Sequence, residues 1–236
     1  MVCKLPSLAL AGALAVLMST AAHAGAITSA ASRVALGGND SLTWGTGADD
    51  GSIVASPFTR TSAGGVGVTA STAGSTDLAL FVQGAGTYSS NYAAGDVVLD
   101  TFFTDTTISL GFSSAIRGVG FNIAADANSA FTGFLRFYGA GNVLFDEVSV
   151  AGLSDMSGDG SAAFLGGTSS LRDILRVDIW VTTTSTADFS INQLSLLTTD
   201  PRTDSTVPEP GALALGAVAL AAAAAARRRS SSGATA

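Results

Sequence analysis

Phe131-Thr132-Gly133-Phe134-Leu135-Arg136-Phe137-Tyr138 is followed by Gly139-Ala140-Gly141 and then by Asn142-Val143-Leu144-Phe145-Asp146-Glu147-Val148-Ser149-Val150. Two runs rich in aromatic and β-branched residues flank a glycine turn, which predicts a β-hairpin. The same pattern continues outward. Ile174 to Thr183 alternates, with Val177, Ile179 and Val181 on one face and Arg176, Asp178 and Trp180 on the other. Phe189 to Leu197 changes phase between Ile191 and Leu194, which predicts a bulge at Asn192-Gln193. Val97 to Phe103, Thr106 to Phe112 (split near Asp105) and Ile116 to Ala124 read as three further strands. The stretch from Gly25 to Thr76 is less regular and reads as long loops with edge strands such as Val66 to Ala70. No window between Gly25 and Thr206 carries a 3.6-residue apolar stripe. The fold expected is all-β, a single antiparallel β-sandwich of jelly-roll type.

Composition then removes most chemistry. The only Cys (Cys3), Lys (Lys4) and His (His23) lie in the first 24 residues. Without them, Ser-His-Asp, Cys-His and Ser-Lys nucleophilic sites have no base or thiol. Zinc and copper sites built on imidazole or thiolate are impossible within one chain. No phosphate-binding loop or dinucleotide fingerprint occurs. Gly25 to Thr206 carries seven Arg against 17 Asp plus Glu, a net charge of −10. Such a surface repels phosphate backbones, so nucleic acid is not an expected partner. No cofactor is expected. A carboxylate pair, as in glycoside hydrolysis, is the one enzymatic arrangement left. Most of the 16 Asp there neighbour Gly, Asn, Ser or Thr, as turn residues do.

One loop has the spacing of a calcium site. Asp155-Met156-Ser157-Gly158-Asp159-Gly160 places oxygen ligands at Asp155, Ser157 and Asp159, with Gly160 at the sixth position. Position 12 is Gly166 and not a bidentate Glu, so the alternative is a polar glycine-rich turn. Trp44, Tyr88, Tyr92, Tyr138 and Trp180 are aromatics that could stack on sugar rings. Trp180 lies opposite the core face of its strand and is the best exposed candidate. Burial in the sandwich is the competing reading for all five.

Both ends of the chain carry addresses. Lys4, the apolar run Leu8 to Met18 and Ala22-His23-Ala24 form a signal peptide, with the cut between Ala24 and Gly25. At the other end, Pro208-Glu209-Pro210 precedes an uncharged segment, Gly211 to Ala226, and Arg227-Arg228-Arg229. Sixteen residues make about 24 Å of helix, short of a bilayer core of about 30 Å. Ten of the 16 are Ala, so the span is weakly apolar. The arginines should stay cytoplasmic as a basic stop. The organisation expected is a signal peptide over 1–24, a sandwich over 25–196 and a linker over 197–206. A sorting segment over 207–229, spanning the membrane at 211–226, and a polar tail over 230–236 complete it.

Pro208-Glu209-Pro210, the apolar stretch and the arginine cluster, in this order, resemble the PEP-CTERM sorting domain of Gram-negative bacteria. The resemblance implies recognition by exosortase, a membrane-embedded cysteine protease, after signal peptidase has acted at the N-terminus. It also implies a transient membrane anchor with a cytoplasmic C-terminus, then release to the cell surface or its exopolysaccharide matrix. The middle of the chain resembles the jelly-roll cargo domains often found before such tails. The residues that carry this are Val119-Gly120-Phe121-Asn122-Ile123, Phe134 to Tyr138, Phe164-Leu165-Gly166 and Asp188 to Asn192. Asn192 stands where that pattern often has Asp.

Three function classes follow: a non-enzymatic surface or matrix protein, a carbohydrate-binding module for exopolysaccharide, or a carboxylate-based glycoside hydrolase. An exposed aromatic row would favour the second. Two carboxylates about 5–10 Å apart in a cleft would favour the third.

Overall fold

The computed structural model describes residues 25–73, 77–84, 88–102, 107–184 and 188–199. The signal peptide, the sorting motif, the 211–226 span and the arginine stop lie outside the described residues. Among those described, no helix is long and apolar enough to cross a membrane.

Fifteen strands are described, with one short α-helix and two 3-10 turns. They are β1 (Ile27–Ser29), α1 (Arg33–Leu36), β2 (Asp40–Leu42), β3 (Ser52–Val54), β4 (Phe58–Thr61), β5 (Gly67–Thr72), β6 (Leu78–Val82) and β7 (Val97–Asp100). After these come β8 (Ile108–Ile116), β9 (Gly118–Ala125), β10 (Ser129–Tyr138), β11 (Leu144–Ser154), β12 (Ala163–Ser169), β13 (Ile174–Thr183), β14 (Phe189–Ile191) and β15 (Leu194–Leu197). They form two antiparallel sheets. The larger runs β1-β12-β9-β14-β7-β6-β3, with β15 also on β9 and β2 on β15; the smaller runs β11-β10-β13-β8-β5-β4. From β7 onward the chain changes sheet at almost every connection, the jelly-roll habit of winding.

The core lies between the sheets because alternate residues of each strand point inward. Val119, Phe121 and Ile123 of β9 meet Phe131, Leu135 and Phe137 of β10 and Val177, Ile179 and Val181 of β13 within one buried cluster. Ile174 is buried as well, because a register shift between Ile174 and Arg176 resets the phase of β13.

The hairpin of β10 and β11 forms as its sequence predicts, paired from Ser129↔Ser154 to Tyr138↔Leu144. Its turn is longer than the three glycine-rich residues. Gly141 and Asn142 both take left-handed backbone (φ 68° and 59°), and Gly139 N–H donates to Val143 O at 2.9 Å. β11 therefore starts at Leu144 and not at Asn142. Across the hairpin, the Phe131 ring lies over Gly152, where an added Cβ would come within 2.3 Å of it.

Several expectations need correction. Val66 to Ala70, expected at a sheet edge, is interior: β5 lies between β4 and β8. Phe112 and Ile116 do not belong to separate strands: β8 runs through both, and only Arg117 precedes β9. Arg117 makes the crossing between sheets, donating its N–H to Leu197 O and accepting from Ser169 N–H. The expected bulge at Asn192-Gln193 is a full break. Both β14 and β15 pair with β9, and Asn192 stitches the gap: its Oδ1 accepts Asn122 N–H at 2.8 Å and its own N–H donates to Asn122 O at 3.1 Å. α1 was not expected. Its single turn is capped by Ser32, whose Oγ accepts Ala35 N–H, and ends at left-handed Gly37.

Candidate functional site

The acidic loop closes around a side chain from another segment. Asn91, 1% exposed, donates through Nδ2 to Asp155 Oδ1 (2.7 Å), Ser157 Oγ (3.2 Å) and Ser161 Oγ (2.9 Å). Its Oδ1 accepts from the backbone of Asp155 and Met156. The amide thus occupies the oxygens of Asp155 and Ser157 that the calcium reading needs. Asp159 instead caps Ser161 N–H at 2.9 Å. Hydrogen bonds from Ser157 and Asn91 lower the Asp155 pKa, and bonds from Ser161 and Ser157 lower that of Asp159.

Three of the five aromatics are structural. Trp44 is fully buried and donates Nε1–H to Asn192 O at 2.8 Å. Tyr88 and Tyr92 are buried against the outer face of the larger sheet, with their hydroxyls on Ser190. Burial holds both phenols well above their ordinary pKa. Trp180 and Tyr138 are half-buried on the outer face of the smaller sheet, Trp180 on the side its alternation predicts.

That face is built from cross-strand pairs. Phe134 stands opposite Trp180, Arg136 opposite Asp178 and Tyr138 opposite Arg176. The Phe134 and Trp180 rings stack with centroids 5.0 Å apart. Arg136 lies over Trp180 at 4.5 Å, and Arg176 over Tyr138 at 4.0 Å. Between the aromatics runs a polar row. Arg136 pairs with Glu147 at 2.6 Å, and Ser109 donates to Asp178 Oδ1 at 2.7 Å. Next to Arg176 is Gly111, where an added Cβ would meet only Thr69 O, at 4.0 Å, so the face is flat there. The sequence places Arg176, Asp178 and Trp180 on one face of their strand, but it does not join Phe134 and Arg136 to that face. Their signal is alternation in two strands, Phe134-x-Arg136-x-Tyr138 and Arg176-x-Asp178-x-Trp180, which needs the register to be joined.

Of the described carboxyls, Asp100 has the pKa of a general acid. Asp100 is 2% exposed, and its Oδ1 accepts Phe102 N–H at 2.7 Å. Burial, with repulsion from Asp126 and Asp188, pushes its pKa up to about 7. That value suits a general acid, but a carboxyl closed off from solvent cannot reach a glycosidic oxygen. Among the described residues, no group of three or more Asp, Glu, His or Cys is placed to hold a metal.

Residues 206–229 match the PEP-CTERM protein-sorting motif. The tail is a PEP-CTERM sorting signal. It implies exosortase processing of an exported, surface-targeted chain. No curated protein matches the chain. Among solved structures, the chain is similar to CsCBM6-3 from Clostridium stercorarium in complex with cellobiose, at 11% identity and a TM-score of 0.32, over 63% of this chain and 94% of that one. It is also similar to a DUF4465 family protein from Bacteroides caccae, at 10% identity and a TM-score of 0.38, over 67% and 93% of the two chains. A glycoside hydrolase family 43 arabinoxylan arabinofuranohydrolase from Bacillus subtilis matches at 10% and 0.30, over 57% and 39%. Likenesses this distant carry nothing about ligand or reaction.

Proposed function

We propose that this is a non-enzymatic surface or extracellular-matrix protein whose β-sandwich is the cargo of its sorting tail. Signal peptidase cuts after Ala22-His23-Ala24. Residues 211–226 then hold the chain in the membrane, with Arg227–Arg229 inside, while exosortase reads Pro208-Glu209-Pro210. The match of residues 206–229 to the sorting motif carries this reading. A mature chain without Cys, His or Lys, whose raised-pKa carboxyl Asp100 is buried, supports a binding or structural role over catalysis.

A second reading, a carbohydrate-binding module for exopolysaccharide, is favoured by the outer face of the smaller sheet. There Phe134, Trp180 and Tyr138 flank a row of hydrogen-bonding side chains. Aromatic surface for the apolar faces of sugars, beside donors and acceptors for their hydroxyls, is the chemistry such a ligand needs.

Intact-mass measurement of the protein recovered from the cell surface tests the first reading. A chain that begins at Gly25 and lacks Arg227–Arg229 is expected. A surface species that still carries both ends rules it out.

A further inference from the structure

The outer face of the larger sheet is covered in two places, by α1 and by the chain segment that carries Tyr88 and Tyr92. Between these covers is a depression of about 270 Å3, floored by Asn122 of β9. Four separate pieces of chain deliver polar side chains to it: Arg33 from α1, Asp96 from just before β7, Asn122, and Asn192-Gln193 from the strand break.

Asn122 and Asn192 are spent on the fold. Besides their mutual bonds, Asn122 Nδ2 donates to Ala162 O at 2.7 Å and Asn192 Nδ2 to Asp96 Oδ2 at 3.1 Å. The other three groups are only partly used. Arg33 is held by Ser195 Oγ, Asn122 Oδ1 and Gln193 O, which leaves at least two of its five N–H donors without an acceptor among the described residues. Among the described residues, Asp96 Oδ1 takes no donor and the Gln193 carboxamide has no partner. Arg33 and Asp96 feel each other's charge, yet no ion pair joins them within 4.0 Å. Nearby charges of opposite sign ordinarily close on each other at a surface; these two are held apart, the guanidinium by its three bonds and the carboxylate by Asn192.

A cation donor, a carboxylate acceptor and an amide that does both thus converge on one hollow. An anionic ligand meets Asp96 and a domain of net charge −10. A cationic ligand meets Arg33. A hydroxyl, which donates and accepts at once, satisfies both groups, and adjacent hydroxyls satisfy the set. Across Arg33 and Gln193 is a second depression of about 500 Å3, lined by Asn39, Asp40, Ser41 and Ser195. The two hollows share Arg33 and Gln193 in their lining, so these residues can serve a ligand that extends over both.

We propose that Arg33, Asp96 and Gln193 form a binding site for a neutral, polyhydroxylated ligand, a stretch of uncharged polysaccharide, on the sheet opposite the aromatic face. The inference rests on the carbohydrate-binding reading.

Affinity electrophoresis of the mature protein in gels containing hydroxyethylcellulose, barley β-glucan, galactomannan or alginate tests it. Wild type should be retarded by at least one of the three neutral polymers and not by the anionic alginate. Asp96→Asn keeps the shape and the Asn192 contact. It and Arg33→Gln should each weaken that binding by about tenfold or more, the loss of one charge-assisted hydrogen bond, with an unchanged melting temperature for Asp96→Asn. Trp180→Ala reports separately on the aromatic face, and Asp96→Asn should weaken binding in that background as well. If Trp180→Ala abolishes retardation while Asp96→Asn keeps it, the polysaccharide reading stands and this site is overturned. If alginate retards the protein most, the neutral class is overturned. If no polymer retards wild type, both readings fail.

Discussion

Asp100 illustrates how a residue's chemistry can be invisible until its neighbours are placed. In the sequence it lies inside the run Val97 to Phe103, which reads as one strand. In the fold it is sealed in, and burial raises its pKa to about 7, with Asp126 and Asp188 adding to the shift. A carboxyl whose folded pKa lies above its unfolded value of about 3.9 binds more protons when folded. Its contribution is fully present below about pH 4, declines as pH rises and is lost above about pH 7. The slope in that window approaches 1.4 kcal/mol per pH unit, at roughly one proton. Asp100→Asn keeps an acceptor for Phe102 N–H and cannot ionise, so the variant should gain on wild type steadily from pH 4 to pH 7. Urea midpoints of the two proteins across that range measure the difference. The lowered carboxyls Asp49, Asp155 and Asp159 act in the opposite sense but are common to both, so they cancel. A difference that does not change with pH would show that Asp100 is already charged in the fold.

At the scale of elements, legibility followed regularity of alternation. β13 kept its expected bounds because every second residue from Val177 to Val181 is apolar and buried. The β10–β11 hairpin was legible from its turn glycines; the change of phase at Asn192-Gln193 was legible as an irregularity, but it signalled a bulge and not the full break. β12, Ala163-Phe164-Leu165-Gly166-Gly167-Thr168-Ser169, was not read as a strand, since two glycines and small polar residues remove the pattern. Its partner supplies the reason for the small residues: Gly166 packs directly on Gly120 of β9, where an added Cβ would approach Cα at 2.8 Å. The acidic loop is a further case. Its oxygen spacing was legible, but Asn91, 64 positions before Asp155, was not. Calcium binding by Asp155, Ser157 and Asp159 has to displace a buried amide that already satisfies two of them. Added calcium should therefore raise the melting temperature of wild type little. Asn91→Asp replaces the central NH2 donor with a carboxylate oxygen and brings a third acid to the loop. That variant should be destabilised in a chelator and recover with calcium, by mass action on the folded state. A large, chelator-sensitive stabilisation of wild type would instead establish the loop as a cation site in its own right.

For the molecule as a whole, what was legible is what is linear. The sandwich follows from local alternation, and the sorting tail is three segments read in order. The pocket around Arg33 was not legible, because its side chains come from positions 33, 96, 122 and 192–193 and meet only through sheet pairing and the packing of α1. The linear part also yields the sharpest test. Proline disfavours helix, which is the sequence reason to expect an extended motif at Pro208-Glu209-Pro210. Glu209 is the only charged group between Asp204 and Arg227. A protease that selects this peptide has one charge to recognise, and an arginine in its pocket would suit it. The span over 211–226, ten of its 16 residues Ala, suits a temporary hold better than a permanent one. Glu209→Ala should then leave full-length protein in the membrane fraction, while wild type reaches the outside without its arginines. Changing Arg227–Arg229 to Ser removes the stop and should impair retention before cutting, a different failure. Fractionation followed by intact-mass measurement separates the two. If wild type stays membrane-bound and keeps Ser230–Ala236 in a host that carries the protease, the tail is a plain anchor, and the sandwich works at the membrane and not in the matrix.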